Sequence, residues 1–232
     1  MTRLLDYNLL ETLHIVAVAL WLGTDIAAAI VLRRAVDDRR SPPARAEMVG
    51  LWEDLDLGPR AASILLLTLG ITLTYLGRWG FTAASESVIL VGSVLLGGAW
   101  LLAALFRYWV DHPPPASTRS AVQVRLGGAA RTADLWLRVV VTVALAVAAV
   151  VSLGADGGPI AATWLSIKLI LVAVAVALTF GTRLLLPSVT SLEVPEGGEA
   201  TAGRRTVTLP LAMTAVAWVC IAVVIWLSIA KI

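Results

Sequence analysis

The chain has 232 residues, 59% of them hydrophobic and 15% charged, with a mean hydropathy of +0.87 and a net charge of +2. That composition excludes a water-soluble domain and fits a polytopic membrane protein small enough to form one bundle. No basic patch for nucleic acid is expected from so even a balance, and the single cysteine, Cys220, excludes an internal disulfide and any multi-cysteine metal site.

Six apolar stretches are each close to the ~20 residues that cross a bilayer as a helix. They run from Leu9 to Leu32, Leu57 to Leu76, Ser87 to Tyr108, Leu135 to Leu153, Thr163 to Leu186 and Leu209 to Ile229. None alternates as a barrel strand would. The predicted fold is therefore all-α, a six-helix transmembrane bundle spanning residues 1–232 as one domain. Asp6 and Glu11 stand where a secretory signal would carry positive charge, so the first stretch reads as a retained helix.

The connections set the orientation. The first carries six arginines (Arg33, Arg34, Arg39, Arg40, Arg45 and Arg60), the third five (Arg107, Arg119, Arg125, Arg131 and Arg138) and the fifth three (Arg183, Arg204 and Arg205). The opposite side has Arg3, Arg78, Lys168 and Lys231. The positive-inside rule then places connections one, three and five in the cytoplasm and both termini outside. Within the first connection, Met48, Leu51, Trp52 and Leu55 recur at helical spacing opposite Glu47, Glu53 and Asp54. This predicts an amphipathic helix over 43–56 on the inner surface. Pro113 to Pro115 form a stiff stop after the third helix, and Thr132 or Asp134 is placed to cap the fourth, with Asp134 and Arg138 paired at its mouth. The fifth connection, SVTSLEVPEGGEATAGRR, is polar and rich in glycine.

The first apolar stretch, LLETLHIVAVALWLGTDIAAAIVL, carries the best site candidates. At about 100° per residue, His14, Trp21 and Asp25 share one narrow stripe, with Glu11 a turn above. Ionisable groups within a membrane are costly and face a protein interior or a water-filled cavity. His14 lies near the outer surface, where a neutral imidazole can ligate haem iron or copper, relay a proton, or simply hydrogen-bond a neighbour at the headgroup boundary. Asp25 is about 16 Å deeper and calls for an arginine or hydroxyl partner from another helix, as a proton path or as a buried structural pair. Lys168, one turn after Trp164, falls at the depth of His14. It is placed to snorkel outward, or to face a shared pocket and pair with Glu11 or a porphyrin propionate. Asp56, Pro59 and Arg60 open the second helix, Asp56 as its cap and as an inner-side ion pair with Arg60. His112 follows the third helix on the inner side, too far from His14 for the two to clamp one haem.

The run LHIVAVALWLG, with its His-x6-Trp-x-Gly spacing, resembles the copper-resistance D-type membrane proteins and the bacterial membrane protoporphyrinogen oxidases. EDLDLGPRAASILLLTLGITL resembles the acidic, arginine-containing start of their second helix, and WLSIKLILVAVAVAL their Trp-x-x-x-Lys helix. The resemblance implies haem b or copper as cofactor, with His14 as the haem or metal ligand and Lys168 as a functional cation. It implies a site in the plasma (inner) membrane of a bacterium. Three functions follow as expectations. The first is a haem- or porphyrin-binding redox protein, with His14 as axial ligand, Trp21 lining the pocket and Lys168 contacting a propionate. The second is a copper or small-solute permease, with His14 and Asp25 marking its path and Glu11 beside it. The third is a structural subunit that works with other membrane subunits or with further copies of itself. The lipid bilayer is a partner in all three.

Overall fold

A computed structural model describes residues 2–37, 39–81, 86–112, 120–154, 158–185 and 200–230. The chain is an all-α membrane protein. Among the described residues six helices are long and apolar enough to cross a bilayer, and a shorter one follows the first. In lipid no water is available to the backbone, so each span must satisfy its own N–H and C=O groups, and the helix does this.

The helices are α1 (Thr2–Ala35), α2 (Pro42–Leu55), α3 (Leu57–Leu76), α4 (Glu86–Asp111), α5 (Ala121–Gly154), α6 (Thr163–Leu185) and α7 (Ala200–Ala230). Among the described residues no strand is present beyond one isolated bridge, Gly80 with Ile160. The polyproline stop at Pro113 to Pro115 and most of the fifth connection lie outside the described residues.

Two local expectations are corrected. The fourth span does not start at Leu135: α5 begins at Ala121, so Asp134 lies inside the helix and caps nothing. The segment from Ala121 to Asp134 is rich in alanine, the best helix former, and is interrupted by Gln123, Arg125, Arg131 and Asp134, so the helix continues beyond the uninterrupted hydrophobic stretch. Thr132 sits mid-helix too, its hydroxyl donating to the Gly128 carbonyl at 3.1 Å. Asp56 makes no side-chain capping bond on α3, because its carboxylate is held by Arg60 instead. The backbone at Asp56 is helical, so α2 runs almost directly into α3. Trp52 of α2 packs with Val36, Leu211 and the buried Leu32.

The six spans form a ring in which α1 packs on α3, and α4, α5, α6 and α7 follow in turn. Short links make successive spans antiparallel neighbours. The ring closes loosely between α7 and α1, much the thinnest of its contacts. The main core joins Ala17 and Trp21 of α1, Leu66 of α3, Leu145 of α5, Val172, Ala173, Ala175 and Val176 of α6, and Ala217, Cys220, Ile221 and Val224 of α7. A second core joins Ile64, Trp100 and Ala104 between α3 and α4.

Candidate functional site

Between α1, α3, α6 and α7 lies a cavity of about 560 Å³, at the end of the bundle opposite the arginine-rich connections. Pockets of roughly 300–1,000 Å³ with apolar walls and a few polar groups are the usual form of small-molecule sites. The walls here are mostly Leu, Ile, Val and aromatic side chains, and the polar lining includes Glu11, His14, Thr74, Lys168 and Ser228. The structure thus places His14, Trp21, Lys168 and Glu11 around one space.

His14 is half-buried on α1, and its ring lies against α3. A Cβ added at Gly70 would stand 3.3 Å from His14 Cε1 and 3.9 Å from Nδ1. Glycine at this position lets the imidazole approach the backbone, which a larger residue would crowd. The Leu66 backbone is also within reach of the ring. Nδ1 itself is buried without a well-aligned partner among the described residues. A buried polar nitrogen left in this state is costly unless a ligand or a small shift supplies the bond.

Lys168 on α6 approaches the same space, near enough to His14 for the two to interact electrostatically. Its Nζ donates to Ser228 Oγ at 2.8 Å, and Ser228 in turn donates to the Val224 carbonyl at 2.8 Å. Glu11 borders the cavity without pairing with Lys168, so the hydrogen bond goes to α7 and not to α1. The ammonium has three N–H donors and Ser228 accepts one. Trp21 is 3% exposed and belongs to both the core and the cavity wall.

An aromatic roof covers the end of the cavity. Trp79, after α3, meets Tyr7 edge-on at 6.4 Å and Trp164 at 5.3 Å. The two short connections at this end are tied together by backbone bonds, Phe81 N–H to the Pro159 carbonyl at 2.8 Å and Ala161 N–H to the Trp79 carbonyl at 2.7 Å. Arg78 and Phe81 adopt positive φ, 59° and 58°, an unfavourable conformation for L-residues that the surrounding contacts hold in place.

Asp25 does not reach this cavity. It borders a separate space of about 30 Å³ with Asp56, Thr179, Thr182 and Thr214, toward the arginine-rich end. That is room for a water or two. Trp218 Nε1 donates to Asp25 Oδ2 at 2.8 Å, so an indole from α7 is one of its partners. Arg60 and Asp56 form an ion pair at the start of α3. His112 lies away from these groups, with Nε2 3.6 Å from Asp54 and 3.9 Å from Glu53.

A further charged cluster joins α4 and α5. Asp134 Oδ1 accepts from Trp100 Nε1 at 2.7 Å and from Arg138 Nε at 3.1 Å. Arg107 stands 3.5 Å from Oδ2, and the Arg138 guanidinium lies 5.6 Å from the Trp100 ring centroid. Asp134 and Arg138 are each 4% exposed.

Sequence reasoning did not identify Gly70, Ser228, Tyr7, Trp79 or Trp218 as part of any site. Trp79 carried a signal, since tryptophans at span ends mark the interface. Gly70 and Ser228 carried none, because their roles arise only when helices meet.

Among the described residues no group of three or more His, Cys, Asp or Glu is gathered to hold a metal ion. No protein-family model matches the chain, and it matches no curated protein and no solved structure.

Proposed function

We propose that this membrane protein binds haem b or a closely related porphyrin in the cavity and serves a redox role in a bacterial plasma membrane. The observation that carries the reading is one histidine and one lysine on the wall of an apolar, 560 Å³ cavity within the spans. The donor set discriminates between a macrocycle and a bare ion. A copper ion would need several protein ligands, whereas a porphyrin brings four nitrogens and asks for one axial imidazole. His14 would supply it, with Nδ1 held toward the α3 backbone so that the other ring nitrogen carries the ligand role, as hydrogen-bonded ligating histidines do. Lys168 and Ser228 would hold a carboxylate of the ring edge. Trp21 and the apolar walls exclude water from the centre. When bound, the iron supplies one-electron chemistry, and its potential is set by the axial ligand and by burial. The resemblance of the His14 and Lys168 segments to the copper-resistance D-type and membrane oxidase families supports the same assignment.

The visible spectrum of the protein purified in mild detergent tests it. A Soret band is expected, and it disappears in His14→Ala while the variant elutes as a folded species. A colourless wild-type protein that also fails to take up added haemin overturns the reading.

A copper or small-solute permease is the second reading, and the polar space at Asp25 favours it. With Asp56 and three threonines it forms a second, separate polar space nearer the arginine-rich end. Uptake of a named ion into vesicles, lost in Asp25→Leu and retained in His14→Ala, would favour this reading over the first.

A further inference from the structure

The cavity has two possible ways in, and they are built differently. The end is roofed by Trp79, Tyr7 and Trp164 and by the backbone bonds that join its two connections. The side is not closed. In the ring of spans, α7 and α1 make the thinnest contact, and it includes the Trp218–Asp25 hydrogen bond well below the cavity. Toward the roof, residues of both helices line the cavity and are exposed at the same time. Ile15 is 61% exposed and Ile229 78%, yet both belong to the wall. A side chain that borders a cavity and still faces outward marks an opening. Ile15 and Ile229 lie on membrane-spanning segments, so what they face is lipid.

The polar groups stand at the level of a lipid head. Lys168 is five residues into α6, about 8 Å along the axis from its start. Ser228 stands two residues from the end of α7 at the same end of the bundle. Trp21, about 10 Å along α1 from His14, belongs to the apolar depth below. Lys168 has an ammonium with N–H donors beyond the one Ser228 accepts, and no carboxylate is paired with it among the described residues. A cation near the interface, an apolar depth below it and an opening toward lipid together describe a receptor for a molecule already dissolved in the membrane.

We propose that the α1/α7 seam is a lateral portal, through which a bilayer-borne amphiphile with an anionic head reaches the cavity. It places its carboxylate or phosphate at Lys168 and Ser228 and lays its apolar part along Val18, Leu22, Val224 and Ile225. The proposal rests on the reading of the cavity as a ligand site, and a porphyrin carboxylate is one member of the ligand class it admits. It does not require haem.

Photolabelling in liposomes tests it. The purified chain, in a state without a Soret band, is reconstituted in phosphatidylcholine with one of three probes carrying the same diazirine acyl chain: a free fatty acid, a phosphatidic acid or a phosphatidylcholine. After irradiation, adducts are mapped by mass spectrometry. An anionic probe is expected to mark Leu22, Leu66 or Val224 well above the phosphatidylcholine probe. All three probes mark the lipid-facing Leu95 and Leu102 of α4, which are 67% and 68% exposed. Whichever anionic arm gives cavity adducts names the head group. Lys168→Gln should lower those adducts about tenfold, the loss expected for one charge-assisted contact. Ile15→Trp, which narrows the opening, should lower cavity labelling and leave Leu95 and Leu102 unchanged. Cavity labelling no stronger for the anionic probes than for phosphatidylcholine, or labelling indifferent to both substitutions in folded protein, overturns the portal. Cavity adducts in a protein that never takes up haemin would retain the portal and remove the haem reading. A Soret band with no cavity adducts in the haem-free state would do the reverse.

Discussion

Asp134 and Lys168 both place a charge inside the bundle, and their surroundings differ. Asp134 is enclosed: its carboxylate meets an indole and two guanidinium groups, and Arg138 beside it lies over the Trp100 ring. Lys168 meets one neutral hydroxyl and a cavity. His14 beside it turns Nδ1 toward the α3 backbone without a well-aligned bond. Buried polar groups are ordinarily satisfied, and the exceptions call for an explanation such as a ligand. The difference separates a charge that holds two helices together from charges left available to something else. It also divides the bundle: α4 and α5 are joined by a charged network, while α1 and α7 leave a seam.

The comparison breaks most visibly at Asp134. Asp134→Ala leaves Arg138 buried without its main counter-charge, which costs about 3–5 kcal/mol when one partner of a buried pair is removed. A large fall in thermal midpoint in detergent is expected, read by loss of monodisperse elution after heating. If the midpoint moves by no more than that of an exposed control such as Val140→Ala, the network is not structural and the contrast fails.

Asp25→Leu comes next. It removes the acceptor of the Trp218 indole and leaves a buried N–H unpaired, for about 1–3 kcal/mol. Because that bond ties α1 to α7, the same variant should widen the seam and raise hydrogen exchange near Ala19 and Val223 more than anywhere in α4. Uniform exchange would show that α7 and α1 are held by something else.

The sequence made some of this legible and not the rest. The spans could be read because bilayer thickness fixes their length, and hydropathy records that length along one dimension. That His14 and Lys168 stand at one level followed from counting residues from the ends of two separate helices. Partners were a different matter. Trp218 for Asp25, Ser228 for Lys168, and Arg107 with Trp100 for Asp134 all depend on which faces meet, and no pattern within one helix records that. The start of α5 differs from the sequence expectation for a related reason: hydropathy marks an uninterrupted apolar stretch, while Ala121 to Asp134 is helical and broken by Arg125, Arg131 and Asp134. Gly70 looked like any glycine in an apolar helix until the imidazole of another helix was set against it.

Gly70→Ala sharpens the contrast from the other side. The new methyl carbon would meet His14 Cε1 at 3.3 Å, closer than an ordinary contact. The cost of this crowding is partly offset by the better helix propensity of alanine, leaving a net change within about 1 kcal/mol. The effect should appear in the site instead. If the haem reading is right, the Soret maximum shifts and haemin affinity falls while the thermal midpoint scarcely moves. A spectrum identical to wild type would mean that His14 is not the ligand or is not positioned by α3.

The smallest stability effect is expected at Lys168, and it tests the comparison directly. Lys168→Met keeps much of the length and apolar stem while removing the ammonium and its single bond to Ser228. A charge in a membrane interior carries a desolvation penalty that one neutral partner does not offset. Ser228 keeps its own bond to the Val224 carbonyl, so nothing buried is orphaned by the change. The folded protein should therefore be unchanged or more stable by up to about 1 kcal/mol, the opposite of Asp134→Ala. Retention of an anionic amphiphile or of haemin should fall in the same variant. Thermal unfolding and ligand retention measured on one preparation decide the matter. A lysine kept for structure would lower the midpoint when removed, whereas a lysine kept for a ligand lets the midpoint stand and the ligand go.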